Sequence, residues 1–401
     1  MTDTTIHTQA TRTPLGVRAA VRTVAARAAS DAVRRELEDA SPAETVRALA
    51  RAGLGALRVP VSFGGAGGTV GDLGELLVEV AAADSNLTQI VRGHLGFVEF
   101  LLARPAEPVR DELLRAAGRG ELFGPAASVH AGGVGGSAPA TTIIDTSTWL
   151  DRAEGVRLSG EKYYTTGSLY SEWINVLVIE DGAVFEVVVR SDDPGVTIID
   201  DWDGIGQRAT ASGTTRFDRV EVRVGHVLAY DVPRLSERLG AFYQFVHSAT
   251  QAGILRRASD DLADVVRARR RSYPLATEPL PGHDPQVLQV VGEVESAAFG
   301  AAANVDAVAR AFDRIAGAED AGGLDRVVLA SAAAQVRNTA LAGEGLWRLF
   351  DAASASAVVR GAALDRHWRN ARTISSHNPV VYKARLLGDH AVNGTLPDGS
   401  I

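Results

Sequence analysis

A chain of 401 residues is too long for one ordinary hydrophobic core and long enough for two or three domains. Its 46% hydrophobic and 22% charged residues are those of a soluble globular protein, and a net charge of −8 argues against general nucleic-acid binding. The absence of cysteine excludes disulfides, thiolate nucleophiles and cysteine-ligated metals.

Residues 1–13 lack the apolar segment of a secretory signal and read as a disordered tail. No apolar run reaches the ~18 residues of a membrane helix, so no membrane span is expected and a cytoplasmic location is. Residues 14–122 read as a helical domain. In SPAETVRALARAGLGALRVP, Ser41 and Glu44 have the spacing of a capping box, Val46, Leu49 and Ala50 share a helical face, and Gly53 predicts the stop. The stretch VPVSFGGAGGTVGDLGELLVEVAAAD predicts a glycine-rich loop and then a helix. Ser85 opens a further helix, which Pro105 ends. Residues 123–232 change texture. Short β-branched and aromatic runs are broken by EG, SG, DG and DPG turns, and VFEVVVR and RFDRVEVRV alternate like half-buried strands. Residues 233–401 return to long alanine-rich amphipathic stretches, which predict a helix bundle. The run RARRRSYP (267–274) reads either as a solvated helix end or as a phosphate site. The fold class is α+β, mostly helical.

This order of segments comes with five motifs: GLGALRVPVSFGGAGG (53–68), LSGEKYYTTGSLYSEWINVLV (158–178), DWDGIGQRATASGTTRFDRVEV (201–222), DPQVLQVVGEVE (284–295) and DRHWRNARTISSHNP (365–379). Together they resemble the acyl-CoA dehydrogenase superfamily over essentially the whole chain. The nearer resemblance is to its flavin-dependent monooxygenase branch, typified by dibenzothiophene monooxygenases and dimethylsulfone-type sulfur-acquisition oxidoreductases. The resemblance implies an N-terminal helical domain, a middle β-barrel-like domain and a C-terminal four-helix bundle. It also implies flavin between the β domain and the bundle, and a homotetramer.

Acyl-CoA dehydrogenases remove an α-proton with a glutamate late in the bundle. Here that place falls in TISSHNPV, which contains no carboxylate, so α,β-dehydrogenation lacks its base. The monooxygenase branch has a THxxHDP pattern there. This chain reads Thr373-Ile374-Ser375-Ser376-His377-Asn378-Pro379, which keeps the second histidine as His377 and places Ile374 and Asn378 where the branch has histidine and acid. The resemblance implies that His377, with Asn378 orienting the segment, holds a flavin C4a-hydroperoxide. An imidazole can donate a hydrogen bond and shuttle a proton there. His94 alone reads as a satisfied core histidine, but in QIVRGHLGF it resembles the branch's flavin-facing histidine. The resemblance further sets Thr166 and Gly167 at the flavin N5/O4 edge, with Thr166 polarising the ring, and Trp173 close by. It sets Ser128 in a flavin-contacting loop (124–137), where Pro125 replaces a common Asn. Arg269 or Arg271, of this or a neighbouring subunit, would hold the phosphate, and a second arginine of these monooxygenases is replaced near Ser356. The glycines at 64–68 and 132–136 lack a strand–turn–helix frame and are no Rossmann fingerprint.

The leading expectation is a two-component monooxygenase. A separate flavin reductase supplies reduced FMN, and O2 and a small organic substrate react at sulfur, nitrogen or aromatic carbon. FAD is less favoured, because no adenine-binding motif is present, and no metal is expected. The alternatives are dehydrogenation with a relocated base, such as Glu344, and a non-catalytic helical scaffold.

Overall fold

A computed structural model describes residues 12–128, 147–153, 155–316 and 322–397. Five helices come first: α1 (Pro14–Glu38), α2 (Ala43–Ala52), α3 (Val70–Ala83), α4 (Ser85–Ala103) and α5 (Pro108–Arg119). The expected tail lies outside the described residues except at its end. There Thr13 caps α1 by accepting from the Gly16 N–H at 3.2 Å, and Arg12 donates to the Gly118 carbonyl. The expected capping box at Ser41 and Glu44 does not form. Pro42 is the cap residue of α2, and the Ser41 hydroxyl accepts from Ala43 N–H at 3.3 Å. The reciprocal box is made instead by Thr69 and Asp72 at the start of α3. Helix α4 is buried on all sides over its first seventeen residues, Ser85 to Leu101. That burial needs small residues. A Cβ at Gly93 would collide with the Pro125 ring, and one at Gly96 with the Tyr243 ring.

Eight strands follow: β1 (Phe123–Ala126), β2 (Thr148–Asp151), β3 (Arg157–Lys162), β4 (Trp173–Glu180), β5 (Ala183–Arg190), β6 (Val196–Ile199), β7 (Thr214–Glu221) and β8 (Val227–Ala229). They form two four-stranded sheets, ordered β1-β4-β5-β8 and β2-β3-β7-β6. Strands β4 and β5 join through Asp181 and Gly182, both at positive φ, as a two-residue hairpin turn requires. Ile174, Val176, Val187 and Val189 of the first sheet share a core with Leu158, Phe217 and Val220 of the second. The barrel-like expectation thus resolves into two small facing sheets.

Three long helices, α6 (Leu235–Ala268), α7 (Pro285–Ile315) and α8 (Gly323–Ala353), pack against one another, and α3 packs on α6. The shorter α9 (Asp365–Ser375) and α10 (Val380–Asn393) lie against α8 and complete the bundle. One apolar core runs from Val17 on α1 through Phe245 on α6 to Leu349 on α8, so the two helical regions are fused.

Candidate active site

A cavity of about 530 Å³ opens where α4, the loops of the β region and the end of α9 meet. Its β-side wall carries Ser128, Tyr164, Thr166, Trp202, Ile205, Gln207 and Ser212; the helical side carries Gln89, Arg372, Thr373, Ile374, Ser376 and His377. The wall is held by a chain of hydroxyls. Thr166 Oγ1 lies 2.8 Å from Ser212 Oγ, which lies 2.7 Å from Thr210 Oγ1, which donates to the Gln207 carbonyl at 2.7 Å. Trp202 Nε1 donates to that same carbonyl at 3.0 Å. Tyr164, Gln207 and Ala211 all adopt positive φ, a strained backbone that costs of order 1–3 kcal/mol per residue. Such strain concentrated around one cavity marks a site the surrounding fold is organised to hold.

The turn between α9 and α10 presents His377. Its N–H closes onto the Ile374 carbonyl at 3.1 Å, and Pro379 starts the next helix. The ring is open to the cavity on one side. On the other, Arg92 Nη2 lies 2.9 Å from His377 Nε2. Guanidinium has only donors, so Nε2 accepts and the neutral ring carries its proton on Nδ1. Desolvation on the side packed against the protein, with the Arg92 charge second, holds the His377 pKa below its ordinary value, while the residue stays exposed toward the cavity. Arg92 also lies over the Tyr243 ring at 4.8 Å, and His247 meets His377 edge-on at 4.7 Å. Burial, Arg92 and His377 keep His247 neutral as well.

The structure brings His377, Thr166 and Ser128 to one cavity. Gly167 lies beside them at φ 82°, against the Ile90 carbonyl of α4, an approach that a side chain would block. Asn378 follows His377, and its carbonyl accepts from Gln335 Nε2 at 3.2 Å; it is not among the lining residues. His94 is not among these lining residues. It is buried outside the cavity, with Nδ1 accepting from Phe123 N–H at 3.2 Å and Nε2 donating to the Gly55 carbonyl at 3.0 Å. Burial holds its pKa at about 4, so it is a neutral core histidine. Trp173 is not among them either. It stacks on Phe123 at 6.0 Å and donates to Glu121 at 2.7 Å, in the core under the first sheet. The cavity tryptophan is Trp202. Arg269 and Arg271 do not line the cavity within one chain; Arg269 donates to the Ala352 carbonyl at 2.6 Å and Arg271 is exposed. Glu344 lies in a groove between α7 and α8, and no Asp or Glu lines the cavity among the described residues.

Sequence reasoning missed Arg92, His247, Tyr243 and Arg372. Helical spacing held a clue. Gln89, Arg92 and Gly96 fall on one face of α4, whereas His94 is two positions, or ~200°, away from Arg92.

A planar heteroaromatic group with polar edges fits this cavity. Trp202, Ile205 and Ile374 offer apolar faces, and Thr166, Ser212 and the unpartnered Gln89 Oε1 offer edge contacts. Residues 13–121 match the family described as acyl-CoA dehydrogenase, N-terminal domain, and residues 245–382 match acyl-CoA dehydrogenase, C-terminal domain. The chain belongs to the acyl-CoA dehydrogenase superfamily. It is 28% identical to the probable FMNH2-dependent monooxygenase SfnC of Pseudomonas putida, over 94% of this chain and 95% of that one. It is 27% identical to a dibenzothiophene monooxygenase of Rhodococcus erythropolis, over 94% of each chain. Its fold matches FMN-bound TdsC from Paenibacillus sp. A11-2 with a TM-score of 0.87 at 24% identity, covering 96% of this chain and 99% of that one. Among the described residues the cavity has no acid, unlike a site that abstracts a proton with a glutamate.

Proposed function

We propose that this chain is an FMN-dependent monooxygenase that oxygenates a small organic molecule at sulfur, nitrogen or an electron-rich aromatic carbon. The observation that carries the reading is the cavity itself: a hydroxyl-lined β wall faces a neutral imidazole, with no carboxylate among the described residues to act as a dehydrogenase base. Reduced FMN, when bound, supplies the activation of O2. Thr166, Ser128 and Gln89 would hold its ring, and Trp202 would cover it. His377 would bear a proton at Nδ1 for a group forming on the cavity side, while Arg92 fixes Nε2 as acceptor. Trp202, Ile205 and Ile374 offer apolar faces on that side, which a bound ring would cover.

Reduced FMN would come from a separate flavin reductase, in cytoplasm. Among the described residues no helix is long and apolar enough to cross a membrane. The strongly exposed Phe299 and Trp347, on α7 and α8, support assembly through the bundle into a homotetramer.

The test is to mix protein with anaerobically reduced FMN, admit O2, and follow flavin reoxidation and peroxide yield with thioethers, amines, indoles and phenols. Slowed reoxidation, and oxygen coupled to one of these substrates, are the expected results. Reoxidation at the rate of free flavin, with all O2 recovered as peroxide, would sink the reading.

A further inference from the structure

Buried guanidinium groups in this chain are otherwise paired with carboxylates. Arg35 meets Asp84 at 2.9 Å, Arg104 meets Glu107 at 2.9 Å, and Arg366 meets Asp261 at 2.6 Å. Arg92 is as buried as these, yet it meets no carboxylate among the described residues. Its Nη2 donates to neutral His377, its face lies on Tyr243, and its Nε has no partner. Helix α9 repeats the asymmetry. Arg366, Arg369 and Arg372 recur at three-residue spacing. Arg366 pairs with Asp261, and Arg369 with Glu36 and Asp365. Arg372, the one that lines the cavity, is exposed there rather than buried and has only the Ser375 hydroxyl at 3.4 Å among the described residues. Arg92 is the buried cation without a counter-charge, which is costly, and it lies behind His377 rather than on the wall; Arg372 is the exposed cation on the wall, and two positive charges at one cleft favour an anionic ligand. The wall also carries the apolar Trp202, Ile205 and Ile374, beside the polar Thr373 and Ser376.

We propose that the substrate is a small organic anion, an apolar body carrying a carboxylate or sulfinate, whose charged end docks on Arg372 within the field of Arg92. This rests on the monooxygenase reading, because it names the substrate class of that site. The guanidinium fork matches the two oxygens of either anion. The flavin's own phosphate is the rival source of negative charge, and the experiment separates the two.

Indole-3-acetate and its neutral isostere indole-3-acetamide are titrated calorimetrically into the parent chain, with and without FMN. The carboxylate should bind about tenfold tighter than the amide at low salt, as a charge-assisted hydrogen bond provides, and the margin should shrink as salt rises. Arg372→Gln should bring the two probes within about twofold of each other, with amide and FMN binding unchanged, and Arg372→Lys should keep part of the preference. A folded parent without a carboxylate preference, weak binding of both probes included, overturns the proposal. So does a preference that survives Arg372→Gln. If Arg372→Gln weakens FMN but not riboflavin, the arginine serves the flavin phosphate and the proposal also falls. A parent that binds no FMN defeats the flavin reading, while the titrations without FMN still decide the anion preference.

Discussion

His377 is held from behind by a residue that can only donate. With Nε2 tied to Arg92, the neutral ring carries its proton on Nδ1, the nitrogen left to donate. Removing it should cost about 1.5–3 kcal/mol, or roughly ten- to hundredfold in oxygen transfer. His377→Ala should therefore still bind reduced FMN and consume O2 but divert most of it to peroxide. His377→Asn, which keeps a donor but cannot shuttle a proton, should divert less. Peroxide yield per O2 consumed is the measurement, and coupling as good as the parent's in His377→Ala would reduce the histidine to packing. Arg92→Gln tests the second half of the arrangement. Burial is the larger cause of the low His377 pKa and the Arg92 charge the next, so loss of that charge raises the pKa partway from about 3 toward its ordinary value. Carbethoxylation of His377, followed by peptide mass, reads this out because only neutral imidazole reacts. In the parent the rate should show no His377 titration between about pH 5 and 8; in Arg92→Gln it should fall at the acidic end of that window. Identical profiles would show that Arg92 does not set the ring's charge.

Helix α4 positions this pair, and it does so by leaving out side chains. Gly96 admits the Tyr243 ring, and that ring carries the Arg92 guanidinium. Gly96→Ala should cost about 1–3 kcal/mol by overpacking, read as a shifted urea midpoint, and should loosen Arg92 as well. Gly388→Ala on exposed α10 is the control. No heavy atom lies within 4 Å of its added Cβ, so it should be neutral or stabilise by about 0.5–1 kcal/mol. Equal effects of the two substitutions would remove the packing argument. Much at this scale was legible in the sequence. Periodicity located the long helices, and alternation located β7, because both patterns follow from burying one face; β5 does not alternate, being buried at four consecutive positions from Glu186 to Val189. The α2 cap was misread because the helix starts after Pro42, so Glu44 is not at the third helical position. The choice of Trp202 over Trp173 depended on which sheet face turns to the core, and long-range pairing sets that. His94 lies apart from the cavity for a related reason. A histidine motif gives a residue type, while the helix face decides whether it meets the cavity or the Gly55 carbonyl.

At the scale of the whole molecule, a single chain leaves two features unfinished. Phe299 on α7 and Trp347 on α8 are more than two-thirds exposed, at 76% and 71%. Between the same helices runs a groove lined by Gly292, Ser296, Ala297 and Gly345 together with Gln289, Glu293, Leu341, Glu344 and Arg348, with Arg348 paired to Glu293 at 2.7 Å. The cavity of one chain, meanwhile, contains neither Arg269 nor Arg271. Assembly through α7 and α8 would cover the aromatic side chains, and a neighbouring copy would bring its basic segment to the phosphate end of the cavity. Two measurements test the linkage. Trp347→Glu, which buries a charge if that face is covered, should lower the mass seen by light scattering from a tetramer toward a monomer. Arg271→Gln should leave the mass unchanged and weaken FMN about tenfold while sparing riboflavin, as loss of a guanidinium–phosphate contact requires. If Arg269 is the phosphate ligand instead, Arg269→Gln shows that loss and Arg271→Gln does not. A parent that is monomeric at micromolar concentration and still binds FMN would refute the shared site, because its phosphate would then be held by the residues of one cavity alone.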